Sequence, residues 1–180
     1  MITVVTGPMY AEKSKYLIEK YNEIEEKEKI KCFKPSKDKR TKTKIRSRAL
    51  KQEIEANVIE KFEDIMNYID DNIKYIFIDE VQFLNGNFNI LEKLSIERDI
   101  DIYIAGLSKT DKQHPFGEMP YVLALADKIK VLTAKCKCGK EARYTICKIK
   151  KDKEVLIDTG KEYQSVCREC YNKLGGKINE

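Results

Sequence analysis

The sequence predicts an α/β fold, a mainly parallel sheet with helices on both faces, followed by a second, smaller domain. Three observations lead there. Short apolar runs alternate with amphipathic stretches from Ile2 to Leu132. The first of those runs passes straight into Gly7-Pro8-Met9-Tyr10-Ala11-Glu12-Lys13-Ser14. Four of the six cysteines fall into two close pairs near the C-terminus, Cys136 with Cys138 and Cys167 with Cys170.

In chain order, Ile2 to Val5 is a β-branched run that ends at Thr6-Gly7-Pro8, a buried strand entering a turn. From Ser14 to about Glu28 the residues Leu17, Tyr21 and Ile24 recur at i, i+4 and i+7, which makes one helical face. Lys31 to Lys34 reads as a second strand, stopped by Pro35. Residues 36–53 are polar and lysine-rich without a clear period and read as a surface loop. Phe62, Ile65, Met66 and Ile69 mark an amphipathic helix, and Tyr75 to Ile78 a buried strand. Phe88, Leu91 and Leu94 suggest another helix, followed by the strand Ile102 to Leu107. A loop over 109–118, a short helix from Met119 to Asp127 and a strand from Ile129 to Leu132 complete this part. Beyond Ala134 come the cysteine pairs, short β-like pieces (Arg143 to Ile149, Glu154 to Ile157) and a helical stub. The expected division is therefore 1–134 and 135–180.

With 180 residues, 42% hydrophobic and 36% charged, the chain has a globular composition. No apolar run approaches the ~20 residues of a membrane helix. The start, MITVVTGP, lacks the basic and long apolar regions of a signal peptide, so a cytoplasmic location is expected. The net charge of +5 comes from 35 basic and 30 acidic residues that are mostly interleaved, as in NEIEEKEKIK. That pattern reads as a solvated lysine-rich surface and not as a nucleic-acid footprint.

Strand, tight loop and helix start are the setting of a P-loop, and they make the expected fold P-loop NTPase-like. Main-chain N–H groups of Gly7 to Ser14 and the positive end of the helix would hold phosphates. Lys13 would reach the β and γ oxygens of ATP, and the Ser14 hydroxyl would ligate Mg2+. Glu12 departs from the pattern, which has glycine before the lysine; a carboxylate there needs compensation by Mg2+ or lysine. Further along, Tyr75-Ile76-Phe77-Ile78 ends in Asp79-Glu80. An aspartate at such a strand end holds Mg2+, and Glu80 beside it could take a proton from an attacking hydroxyl.

Cys167-x-x-Cys170 has metal-knuckle spacing, and the tighter Cys136-x-Cys138 is followed by Gly139, which permits a turn. Four thiolates at ~2.3 Å would make a closed structural Zn2+ site without an open catalytic position. Disulfides are the alternative, but a Cys-x-Cys bridge is strained and a reducing compartment disfavours it. Cys32 and Cys147 read as packed hydrophobes. His114, the only histidine, has no second histidine with which to build a metal site. The run from Lys148 to Lys153 reads as a solvated segment.

The segments GPMYAEKS, FKPSKDKR, FIDEVQFL, GLSKTDKQHPFG, CKCGKEARYT and EYQSVCREC occur in this order. Together they resemble type II thymidine kinases, from Val4 to about Tyr171. The resemblance implies ATP-dependent phosphorylation of the 5′-hydroxyl of thymidine, or of deoxyuridine, in nucleotide salvage. It implies that Glu80 is the general base and that Asp38, Arg40 and Gln82 lie near the phosphates with Asp79. Met9, Phe83, Leu107, Phe116, Thr145 and Tyr163 would wall the base pocket, with Asp111 where the family has an aromatic residue. A lasso loop of the zinc domain, about Lys150 to Gln164, would close over the nucleoside. The main chain of Val155, Leu156, Ile157, Asp158 and Thr159 would grip the base, although Asp158-Thr159 replaces a glycine pair. The family's homotetramer, or a dimer, and feedback inhibition by the triphosphate product are further implications. Two rivals differ in kind: a weakened nucleotide-binding paralogue disabled by Glu12, and a zinc-ribbon NTPase that binds nucleic acid. Glu12→Gly activity separates the first, and salt-dependent oligonucleotide binding the second.

Overall fold

The computed structural model describes residues 1–148 and 162–174. Among them the central sheet has six strands, all parallel: β1 (Ile2–Thr6), β2 (Ile30–Pro35), β5 (Asn57–Ile59), β6 (Tyr75–Ile78), β7 (Asp101–Gly106) and β8 (Lys128–Val131). Their order is β5-β2-β6-β7-β1-β8. The register aligns Thr6 with Gly106, and Ile78 with Ile104, so the carboxyl ends of β1, β6 and β7 share one edge of the sheet. In open α/β sheets such an edge is where ligands bind.

Strand periodicity of two divides the core cleanly. Val4, Ile76, Ile78, Ile102 and Ile104 face one side, where they meet Leu91 and Leu94 of α2 (Asn89–Glu97) and Met119 and Val122 of α3 (Met119–Ala124). Val5, Cys32, Phe77 and Ala105 face the other side, where Leu17 and Ile18 of α1 (Lys13–Glu23) cover them. Each such aliphatic side chain withdrawn from water stabilises the fold by about 1.5–3 kcal/mol. Phe77 stacks on Tyr103 at 4.9 Å between ring centres.

Four local expectations change. First, α1 stops at Glu23, a turn early: Ile24 is extended, and Lys27 Nζ donates to the carbonyls of Tyr21 and Ile24, capping the helix end. Second, the supposed loop over 36–53 contains β3 (Lys44–Ser47), paired antiparallel with β4 (Gln52–Glu55). Ile45 and Ser47 point inward while Arg46 points out, and Ile45 and Ile54 pack with α1. Third, Phe62–Tyr68 is a 3-10 helix. Phe62 and Ile65 are buried at a period of three, Met66 is exposed, and Asp64 tightens the first turn by accepting the N–H groups of Glu60 and Lys61. Fourth, β2 extends through Pro35.

After β8 the chain makes a two-residue ladder, β9 (Ala134–Lys135) with β10 (Glu141–Ala142), then the pair β11 (Tyr144–Cys147) and β12 (Tyr163–Val166), then α4 (Arg168–Lys173). These pieces share a core of Ala134, Ala142, Val166 and Tyr171, which also takes in Ala11 of the first turn of the chain. The expected β-like piece Glu154 to Ile157 lies outside the described residues. No helix among the described residues is long and apolar enough to cross a membrane.

Candidate active site

The segment after β1 is held tightly. Gly7 has φ +151°, and a Cβ on it would lie 2.3 Å from the Leu132 carbonyl oxygen, so a side chain cannot be placed there. Tyr10 and Glu12 both take φ +61°. Glu12 thus adopts a glycine-like backbone at the N-cap of α1, and its half-exposed carboxylate turns to Lys15 Nζ at 3.2 Å. The compensation expected for this departure is a lysine three residues on. Gly in place of Glu12 is expected to be about 1 kcal/mol more stable than Ala there, since only Gly is at ease at this φ. Melting curves of Glu12→Gly and Glu12→Ala should differ by roughly 2–4 °C.

Lys13 is buried, and its Nζ donates to the carbonyls of Gly7 at 3.2 Å and Pro8 at 2.9 Å. Burial pulls its pKa below the usual lysine range, against the pull of Glu80 and Asp79. Ser14 Oγ donates to Asp79 Oδ2 at 2.8 Å. The loop after β1 and the acids after β6 therefore meet, 65 residues apart in sequence. Burial, and then the neighbouring Glu80, push the Asp79 carboxyl up to about 6. Glu80 itself sits at φ +52°, a strained conformation of the kind found at functional sites. Burial works to raise its pKa, but Arg40 and Lys13 outweigh that and hold it below the usual carboxylate range.

A chain of charges runs behind this pair. Arg40 Nη2 reaches Glu80 Oε1, while its Nε and Nη2 fork onto Asp38 at 2.7 and 3.2 Å. Asp38 Oδ2 also lies 3.3 Å from Nζ of Lys34, which is 1% exposed and donates to Thr41 Oγ1 at 2.7 Å. Gln82 Nε2 donates to Glu80 Oε2 at 2.5 Å, and Gln82 Oε1 accepts the Leu107 N–H at 2.9 Å. Gly106 makes room for that amide: a Cβ there would lie 2.9 Å from Gln82 Oε1.

In front lies a cavity of about 430 Å3, lined among others by Lys13, Ser14, Arg40, Arg48, Glu80 and Leu107. Beside it a pocket of about 80 Å3 is bounded by Ser14, Asp79, Asp38 and Arg40. A buried carboxylate and a hydroxyl over a small pocket, next to a cavity rich in cations, suit a divalent ion and a polyanion. Met9, Leu107 and Tyr163 are buried together, with Phe116 and Cys147 packed on them, and Phe83 meets Phe116 edge-on at 5.4 Å. Thr145 joins them through Met9, whose N–H it accepts at 3.0 Å, so that amide is taken and not offered to a phosphate. Asp111 lies in the turn that the Gln113 N–H closes on Thr110 O, Gln113 Nε2 donates to the carbonyls of both Asp111 and Thr145 at 3.5 Å, and the Asp111 charge is felt by Tyr171. Val155, Leu156, Ile157, Asp158 and Thr159 fall outside the described residues.

Beyond the expected residues, Lys34, Arg46, Arg48 and Ser165 also stand at this site. A lysine inside the apolar run Cys32-Phe33-Lys34 was a signal, and so was the alternation Ile45-Arg46-Ser47-Arg48.

The four sulfurs of Cys136, Cys138, Cys167 and Cys170 all lie within 4.8 Å of one another, and all are free thiols. Cys138 and Cys167 are 3.6 Å apart, far from a disulfide bond and close to the ~3.8 Å that tetrahedral ~2.3 Å bonds impose. Main-chain N–H groups at Cys138 and Cys167 push Cys136 down to about 6, whereas hydrogen bonding to Cys136 pushes Cys170 up to about 12. Metal binding to a thiol cluster of this kind displaces its protons.

The thymidine kinase family model matches residues 1–171. A thymidine kinase of Pseudothermotoga lettingae is 36% identical over 98% of this chain and 97% of its own length. One from Ureaplasma urealyticum is 36% identical over 93% of this chain and 80% of its own. Another, from Bacteroides thetaiotaomicron, is 31% identical over 98% and 89%.

Proposed function

Because this chain belongs to the thymidine kinase family, we propose that it transfers the γ-phosphoryl group of ATP to the 5′-hydroxyl of thymidine, with deoxyuridine as a further acceptor, in nucleotide salvage. The observation that carries this reading is the 2.8 Å bond from Ser14 to Asp79, which brings the phosphate loop and the acid pair to one place. Ser14 and Asp79 would hold Mg2+, whose charge offsets the negative charge on the transferring group. Lys13, now on its own loop carbonyls, would turn its ammonium to the β and γ oxygens, with the N–H groups of Glu12 to Ser14 beside it. Arg40, steered by Asp38, would share its charge between Glu80 and a phosphate. Glu80 would take the proton of the 5′-hydroxyl, and Gln82 fixes the face it presents.

Met9, Leu107, Phe116 and Tyr163 would wall the base, with Phe83 behind Phe116 and Thr145 alongside. The main chain over 155–159 would complete the grip in a closing domain over 135–180, while 1–134 holds ATP. Four cysteines would bind Zn2+ structurally. Assembly into a homotetramer or dimer is supported by Ile129 and Val131, 52% and 62% exposed on the edge strand β8. A cytoplasmic site of action agrees with the chemistry of free thiols. The test is purified protein with Mg·ATP and a panel of nucleosides. Thymidine should yield its 5′-monophosphate at least about 10-fold faster than uridine or cytidine, the discrimination one pocket contact supplies. ATP binding without any monophosphate would sink the reading.

A further inference from the structure

Met9 belongs to both halves of the site. Its main chain lies in the phosphate loop between Gly7 and Lys13, and its side chain is buried with Leu107 and Tyr163. Two hydroxyls from far along the chain hold that main chain. The Met9 N–H donates to Thr145 Oγ1 at 3.0 Å, and Ser165 Oγ donates to the Met9 carbonyl.

Thr145 and Ser165 stand directly opposite each other on β11 and β12, and are 5% and 4% exposed. Buried hydroxyls must find partners. These two spend theirs on the donor and the acceptor of a single residue, so the peptide planes on both sides of Met9 are fixed from outside. The neighbouring Tyr10, and Glu12 beyond it, hold positive φ values that side-chain-bearing residues do not keep unaided. An external brace at this point explains how the loop keeps its shape without glycine at positions 10 and 12. Ser165 also lies two residues before Cys167, so the brace is tied to the thiol cluster.

We infer that Thr145 and Ser165 are positioning residues that set the phosphate loop through Met9, so that the nucleoside pocket and the triphosphate cavity respond to each other. This inference rests on the kinase reading for the identity of the two ligands. A movement of the β11–β12 pair that adjusts the Met9 side chain toward a base must also adjust the Met9 peptide toward the phosphates. Coupling of this kind is reciprocal.

Calorimetric titration of the full chain with Mg·adenylyl imidodiphosphate tests it, with and without thymidine. In the parent, thymidine should tighten analogue binding about 5-fold or more, the low end of site-to-site coupling. Ser165→Ala should weaken analogue binding about 5-fold and abolish the tightening; Thr145→Val, at a residue that also stands beside the base, should weaken analogue binding about 5-fold in the absence of thymidine, and Thr145→Ser should restore it. A merely structural brace would lower the melting temperature while folded protein bound the analogue as the parent does, and that result overturns the inference. Should Thr145→Val fail to fold, Ser165→Ala decides by the same comparison. A parent that binds the analogue but phosphorylates no nucleoside would fail the kinase reading alone; the Ser165→Ala comparison without thymidine still judges the brace.

Discussion

Glu80→Gln is expected to lower kcat by about 10²-fold or more and to leave Mg·ATP affinity within about 2-fold. The amide keeps the shape of the carboxylate but cannot accept the hydroxyl proton. Its NH2 would also face either Arg40 Nη2 or Gln82 Nε2, both of which donate to the carboxylate, so one hydrogen bond is lost as well. Lys13 and Ser14, which would meet the triphosphate, do not depend on Glu80 for their positions: they bond to Gly7, Pro8 and Asp79. The effect should therefore fall on turnover and not on binding. Initial rates against calorimetric ATP affinity separate the two, and unchanged turnover removes Glu80 from the role of base.

Cys138→Ser should abolish stoichiometric metal and cost on the order of 4 kcal/mol or more, the range in which loss of a metal site falls. Melting would drop by roughly 10 °C. The reason is the smallness of what the cluster organises. Ala134, Ala142, Val166 and Tyr171 make a core too small to stand alone, with Cys136 and Cys167 buried inside it. Elemental analysis and thermal melting check this together. A variant without metal that melts like the parent would remove the structural role of the site.

Much of the fold was readable because the central parallel strands are buried on both faces. Tyr75 to Ile78 and Ile102 to Gly106 read as uninterrupted apolar runs, and only the central strands of such a sheet do so. The hairpin of β3 and β4 escaped because it is half-exposed: two buried isoleucines, Ile45 and Ile54, are spread among lysines, arginines and glutamates, and the alternation is faint. The 3-10 turn at Phe62 escaped for a different reason. Periods of 3 and 3.6 are indistinguishable over seven residues. At the candidate site, the approach of the loop over 7–14 to the acids after β6 and the clustering of the four cysteines were legible from spacing. Lys34 and Ser165 were not, because their importance lies in partners far off in sequence, Asp38 for one and Met9 for the other.

The anchoring of the loop over 7–14 limits how it can move. Upstream it springs from β1, which is paired on both edges and buried at all five residues. Downstream it enters α1, pinned by Leu17 and Ile18. Neither anchor can slide without breaking sheet or core. The main chain of this loop can therefore adjust to an incoming ligand only by rotation of individual peptide units, and the two residues that already carry unusual torsions, Tyr10 and Glu12, are the natural pivots.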